Sequence, residues 1–254
     1  PCRLEPGCFG DGDDDVDNDV DNDDDNDTKT HSATNKTTTP SKNAAAAAAN
    51  KLRQRFESDI LSASRSLPPR ARTQLQKTTP IWINKSQSFG PKAAPLRGRD
   101  ACFHPGRSWL VRNGMNPDKC GGVEFYDARH YRSDCDLWGP GGLILHELCH
   151  AWHCLHTEGG YRNGDVRECY EKAMEEGLYE CVAVHGPQGP KCKAYACTDP
   201  MEYFAELSVA FLGGVEEGKE YNKWFPFNRA QVKEHDPRAF EMLHRIWGVD
   251  PEGT

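Results

Sequence analysis

The sequence predicts an α+β domain, mainly helical and with a small sheet, preceded by a disordered acidic tail, and three observations support this. Apolar residues recur three and four apart in five segments from Leu52 onward. Two short runs, Ile81-Trp82-Ile83 and Val123-Glu124-Phe125-Tyr126, read as strands. Residues 11 to 27 hold eleven aspartates and no basic group.

From Asp11 to about Asn50 the chain is rich in Asp and Asn, then in Thr, Ser and Lys, then in alanine. Such a segment buries too little apolar surface to offset its ordering entropy, so residues 1–50 are expected to be disordered. Asp13, Asp15 and Asp17 alternate as in a calcium loop, but the turning glycine and the closing Glu are missing. Leu52, Phe56, Ile60, Leu61 and Leu67 define a helical stripe ended by Pro68-Pro69, within residues 51–79, which reads either as a linker helix or as part of the fold. The main domain is expected over residues 80–254. Beyond Pro140-Gly141-Gly142, Leu145, Leu148, Trp152 and Leu155 make one apolar stripe, and further helices are expected over 166–176, 199–212 and 236–247. In the third of these four, Asp199 is an N-cap, Pro200 occupies the first turn and Gly213-Gly214 is the stop. No internal repeat appears, and the oligomeric state is left open.

Without the aspartate run the chain carries 31 basic and 28 acidic side chains. A near-neutral body without a clustered basic face argues against nucleic acid as a partner. No apolar run approaches the ~20 residues of a membrane span. Eleven cysteines, an odd number, together with sequons at Asn26, Asn35 and Asn84, point to an oxidising, extracellular setting. The sequence opens at Pro1, and no signal peptide is seen in it.

The chemistry lies in His146-Glu147-Leu148-Cys149-His150, an H-E-x-x-H motif. Residues four apart on a helix are offset by only ~40°, so both imidazoles can address one Zn2+ ion with Glu147 beside them. Zinc lowers the pKa of a water towards ~7, and Glu147 is placed to accept its proton. A catalytic zinc also needs a third protein ligand and an open position. His156 has the spacing of the H-E-x-x-H-x-x-G-x-x-H pattern, but His153 stands where the bending glycine belongs. Glu202, on the helix that Asp199 caps, completes a His-His-Glu set without a bend. Glu206, one turn further, is a candidate outer partner.

The segment Tyr195-Ala196-Cys197-Thr198-Asp199-Pro200-Met201-Glu202-Tyr203-Phe204-Ala205-Glu206 resembles the Y-x-x-T-[ND]-x-x-E-[FY]-F-A-E segment of anthrax lethal-factor-type metallopeptidases. Looser likeness to little-studied microbial and eukaryotic relatives extends over about residues 80 to 248, through Phe103 to Gly114, Gly177 to Tyr179 and Phe225 to Arg229. The resemblance implies a zincin-type fold, Glu202 as third zinc ligand and Tyr195 facing the substrate carbonyl. Peptide or protein hydrolysis is then the expected activity, with Glu147 as base and Tyr195 stabilising the oxyanion. Hydrolysis of another amide or acyl bond, or a non-catalytic binding module, are the alternatives. The chain departs from its relatives at Cys149, inside the motif, and at Cys154, Cys169, Cys181, Cys192 and Cys197, which suggest added disulfides. A bridge between Cys192 and Cys197 would tighten the loop that presents Tyr195.

Overall fold

The computed structural model describes residues 2–4, 42–84, 88–89, 94–95, 101–126, 128, 131, 138–216 and 218–249. Most of the aspartate-rich segment, including the calcium-loop-like stretch and the sequons at Asn26 and Asn35, lies outside the described residues. The architecture is α+β, mainly helical with a small sheet.

In chain order the elements begin with β1 (Cys2–Leu4), α1 (Lys42–Ser66), α2 (Pro69–Thr78), β2 (Ile81–Ile83), β3 (Ser88–Phe89) and β4 (Ala94–Pro95). Then come β5 (Ala101–Phe103), α3 (Arg107–Arg112), β6 (Val123–Phe125), α4 (Gly142–His156) and α5 (Gly164–Glu175). The chain continues through β7 (Val182–Ala183), β8 (Lys191–Cys192), α6 (Pro200–Gly213), α7 (Arg229–His235) and α8 (Pro237–Trp247). The main sheet runs β1-β2-β6-β5; β1, β2 and β6 are parallel, while β5 is antiparallel to β6 with Cys102 opposite Glu124. Among the described residues this leaves β5 as an edge strand. No helix among the described residues is long and apolar enough to cross a membrane.

The boundary expected near residue 50 needs correction. α1 starts at Lys42, inside the segment expected to be disordered, because the six alanines Ala44 to Ala49 have the strongest intrinsic preference for helix. β1, also within that segment, pairs along β2. Of the two readings of residues 51–79, part of the fold is the one seen: Phe56, Ala63, Leu67, Ala71 and Leu75 are buried in the main apolar cluster, and Phe56 stacks on Tyr131 at 3.6 Å. Asp59 supplies polar anchoring by accepting from Tyr131 at 3.1 Å and Arg55 at 2.7 Å.

α4 is the central helix and is buried on nearly every side, so its stripe is wider than the periodicity implied. Leu145, Leu148 and Trp152 are buried, joined by Ile144, Cys149 and Ala151, whereas Leu155 is exposed. α4 packs most extensively against α6. Trp152 stacks on Trp247 of α8 at 5.4 Å, and Trp247 stacks on Phe204 of α6 at 5.8 Å, so three helices share one aromatic column. The start of α4 presses on α1 at Gly141: φ is +75°, and a Cβ there would lie 2.8 Å from the Ala63 backbone nitrogen. Both facts demand glycine.

If α1 is integral to the core, Phe56→Ala should lower unfolding free energy by about 3–5 kcal/mol, the range for emptying a buried aromatic site. Urea denaturation would measure it. A loss below about 1 kcal/mol would return α1 to the status of a tether.

Candidate metal centre

α4 runs without a bend from Gly142 to His156, placing His146 and His150 one above the other and Glu147 beside them. Glu202 reaches them from the first turn of α6. That turn is fixed by Asp199, whose Oδ1 accepts from Met201 N–H at 2.8 Å and Glu202 N–H at 2.9 Å. The three donors converge: His146 Nε2 to His150 Nε2 is 3.1 Å, His150 Nε2 to Glu202 Oε2 3.1 Å, and His146 Nε2 to Glu202 Oε2 3.2 Å. Donors around a tetrahedral ion with bonds of ~2.0–2.1 Å lie about 3.3 Å apart. The His-His-Glu set therefore fits a small divalent cation, and it is the one such group found among the described residues.

His156 lies elsewhere. Its Nε2 is 3.1 Å from Thr78 Oγ1 and its ring leans on Trp152. His153 is wholly buried between Tyr161 and Phe204, at ring distances of 5.1 and 4.7 Å, and neither of its nitrogens has a hydrogen-bond partner among the described residues. Burial, assisted by the nearby His150 charge, pushes its imidazole down to about 4.

Acidic groups surround the triad. Glu206 is buried, with Oε1 3.4 Å from His146 Nδ1 and Oε2 accepting from Asn222 at 3.3 Å. A carboxylate behind a ligating imidazole orients the ring and raises its basicity. Burial pushes the Glu206 carboxyl up to about 7. Burial opposes charge on His146, yet its bond to Glu202 and the charges of Glu206 and Glu202 carry it up to about 9. For Glu202 burial is likewise outweighed, and the hydrogen bonds from His146 and His150 hold it well below the usual carboxylate range. Burial raises the Glu147 carboxyl, against the pull of the His146 and His150 charges and of the nearby Phe103 backbone N–H on edge strand β5.

Tyr195 occupies a single 3-10 turn, Tyr195–Cys197, immediately before α6. Its ring is half exposed and its hydroxyl donates to Glu202 Oε1 at 3.2 Å. Tyr170 Oη steadies this turn by donating to the Cys197 carbonyl at 3.1 Å. Cys192 and Cys197 are both thiols here, as are Cys149, Cys154, Cys169 and Cys181. The triad, Glu147 and Tyr195 all face one cleft of about 730 Å³.

Motif reading missed other walls of that cleft, namely His104, Trp109, Trp138, Tyr161, Lys223 and Trp224. His104 belongs to a buried polar cluster: Glu124 Oε2 meets His104 Nε2 at 2.5 Å, and Glu124 Oε1 accepts from Lys119 Nζ at 2.6 Å and from Asn84 Nδ2. Asn84 is thus buried and engaged, which closes the sequon there to a glycan in the folded chain. Comparison with protein-family models, curated proteins and solved structures yields no match.

Glu202→Ala should strip the bound metal, while His156→Ala should keep it; elemental analysis after dialysis distinguishes them, and the reverse outcome would reassign the third ligand. His153 gives a pH dependence. Its folded-state value lies below that of an exposed histidine, so from about pH 6.5 down to about 4 the unfolded chain takes up a proton that the fold refuses, and stability falls with pH. Relative to wild type, His153→Leu should gain roughly 2–3 kcal/mol between pH 7 and 4.5. Parallel urea midpoints in chelator would show this, and parallel pH curves would contradict it.

Proposed function

We propose that this protein is a zinc-dependent metallopeptidase, a zincin of the lethal-factor-like kind. The observation that carries the proposal is the convergence of His146, His150 and Glu202 to mutual distances of 3.1–3.2 Å, on a cleft that also holds Glu147 and Tyr195. Two nitrogens and one carboxylate oxygen form the donor set typical of catalytic zinc. When bound, the ion supplies Lewis acidity, acidifying a water and polarising a carbonyl.

The remaining chemistry belongs to the chain's own groups. Glu147, steadied by the Phe103 N–H, takes a proton from the attacking water and returns one to the departing amine nitrogen, so that the C–N bond breaks as the new C–O bond is kept. Tyr195 Oη swings from Glu202 to the carbonyl oxygen and donates to it as negative charge develops. This interaction is stronger in the transition state than in the ground state and therefore raises kcat. Among the described residues β5 has β6 on one side and no strand on the other, and it lines the cleft beside Glu147. An extended peptide can add to such an edge through backbone hydrogen bonds. That edge favours peptides over other amide or acyl substrates.

The zinc-loaded protein should cleave a denatured casein mixture, stop with a strong chelator and resume when zinc is restored. Glu147→Gln should retain the metal and lose hydrolysis, because an amide cannot accept the proton. Tyr195→Phe should retain metal and KM while kcat falls by about 10- to 1000-fold. A fully active Glu147→Gln protein, or no cleavage by any zinc-loaded preparation, would refute the reading.

A further inference from the structure

Among the described residues the cleft wall contains one lysine or arginine, Lys223. Its surroundings are acidic, since Glu147, Glu202 and Glu206 line the same cleft. Glu202 is engaged with the two imidazoles, and Glu206 accepts from Asn222 through Oε2 while its Oε1 lies 3.4 Å from His146 Nδ1 without a hydrogen bond. Lys223 makes no ion pair with any of them or with another described carboxylate. Its Nζ lies 5.8 Å from the centroid of the Trp224 indole, which also lines the cleft.

The backbone here is firmly held. The Lys223 carbonyl accepts from His185 N–H at 2.9 Å, the Trp224 carbonyl from Asn222 Nδ2 at 2.9 Å, and Trp224 bridges Val184. A half-buried lysine on a fixed backbone, facing the cleft, its charge felt by Glu206 but ion-paired with no described carboxylate, is suited to an anionic group brought by a ligand. An indole beside it excludes water and strengthens the attraction. The three glutamates repel an anion from the neighbourhood of the triad itself, so the anionic group must sit to one side of the reacting bond.

We propose that Lys223 and Trp224 form a subsite for a substrate carboxylate, making acidic peptides the preferred ligands of this cleft. The proposal rests on the peptidase reading. Two sources share this chemistry: an Asp or Glu side chain, and the carboxylate of a peptide C-terminus.

Binding tests the proposal separately from turnover. Full-length zinc-loaded protein carrying Glu147→Gln is immobilised and exposed to random decapeptide pools that differ only in Glu against Gln, each made as the C-terminal acid and the C-terminal amide. Glu-containing amides retained about 10-fold or more above Gln-containing amides would identify a side-chain carboxylate. The same excess of acids over amides in the Gln pools would identify the terminus. Either excess should vanish with Lys223→Met and with Lys223→Glu, and survive Lys77→Met, which removes the same charge from exposed α2. Equal retention of all pools, including none, overturns the subsite, as does an excess that Lys223→Met leaves intact. Loss of zinc by Lys223→Met also overturns it, because Lys223 would then serve to balance Glu206. Casein cleavage by the unsubstituted protein reports on the peptidase reading independently, so the two failures are distinguishable.

Discussion

Bringing one carboxylate oxygen within 3.2 Å of two imidazole nitrogens that are themselves 3.1 Å apart is a constraint that no single helix can satisfy. A helix supplies two ligands through its i, i+4 spacing, and its next turn rises ~5.4 Å away from them. The third must therefore come from a second element held at a fixed distance and rotation. Here the crossing of α4 and α6 supplies it, and much of the structure maintains that crossing. The column of Trp152, Trp247 and Phe204 locks the helices on one side of the site. The Asp199 cap sets the first turn that carries Glu202. α1, pressed against the glycine turn before α4, sets where the motif helix begins.

The same constraint explains the sheet's place in the design. Glu147 lies on the side of α4 facing β5, where the Phe103 N–H meets its carboxylate. β5 is only three residues long and, among the described residues, lies at an edge, so its position depends on what pins it to β6. The buried Glu124, with His104 and Lys119 on its two oxygens, ties the end of β5 and the turn before β6 together. Removing one member would leave a buried charge uncompensated. Such a cluster contributes more to fixing geometry at the cleft than to net stability, because desolvation of the ions offsets most of their attraction.

What was legible in the sequence was local. The H-E-x-x-H spacing, the Asp199-Pro200 helix start and the glycine stops all act within a few residues, and the structure brings His146, His150 and Glu202 together as their pattern suggests. His153 in place of glycine correctly indicated an unbroken helix. The short β5 was not legible, since three residues carry no period and its identity comes from pairing with Val123 to Phe125. Nor was the Glu124 cluster, whose members are separated by up to forty residues. The Ala44 to Ala49 run was misread because low complexity was taken for disorder when the residue itself is the best helix former. Leu155 was placed in the buried stripe by spacing alone, but α4 nears its end there and its last turn emerges from the core.

The fate of His153 bears on what kind of metal site this is. A structural zinc is closed by four protein ligands, whereas a catalytic one keeps a position for water or substrate. His153, one turn past His150, is the residue whose spacing could have closed the site, yet its ring is enclosed by Tyr161 and Phe204. What lies over the triad instead is the cleft, with Glu147 on one side and the half-exposed Tyr195 on the other. Burying an imidazole with both nitrogens unpaired costs stability that leucine at the same place would not. Three residues that could hold a metal ion, an open face over them and two groups able to move protons favour the proposed catalytic role over a structural metal.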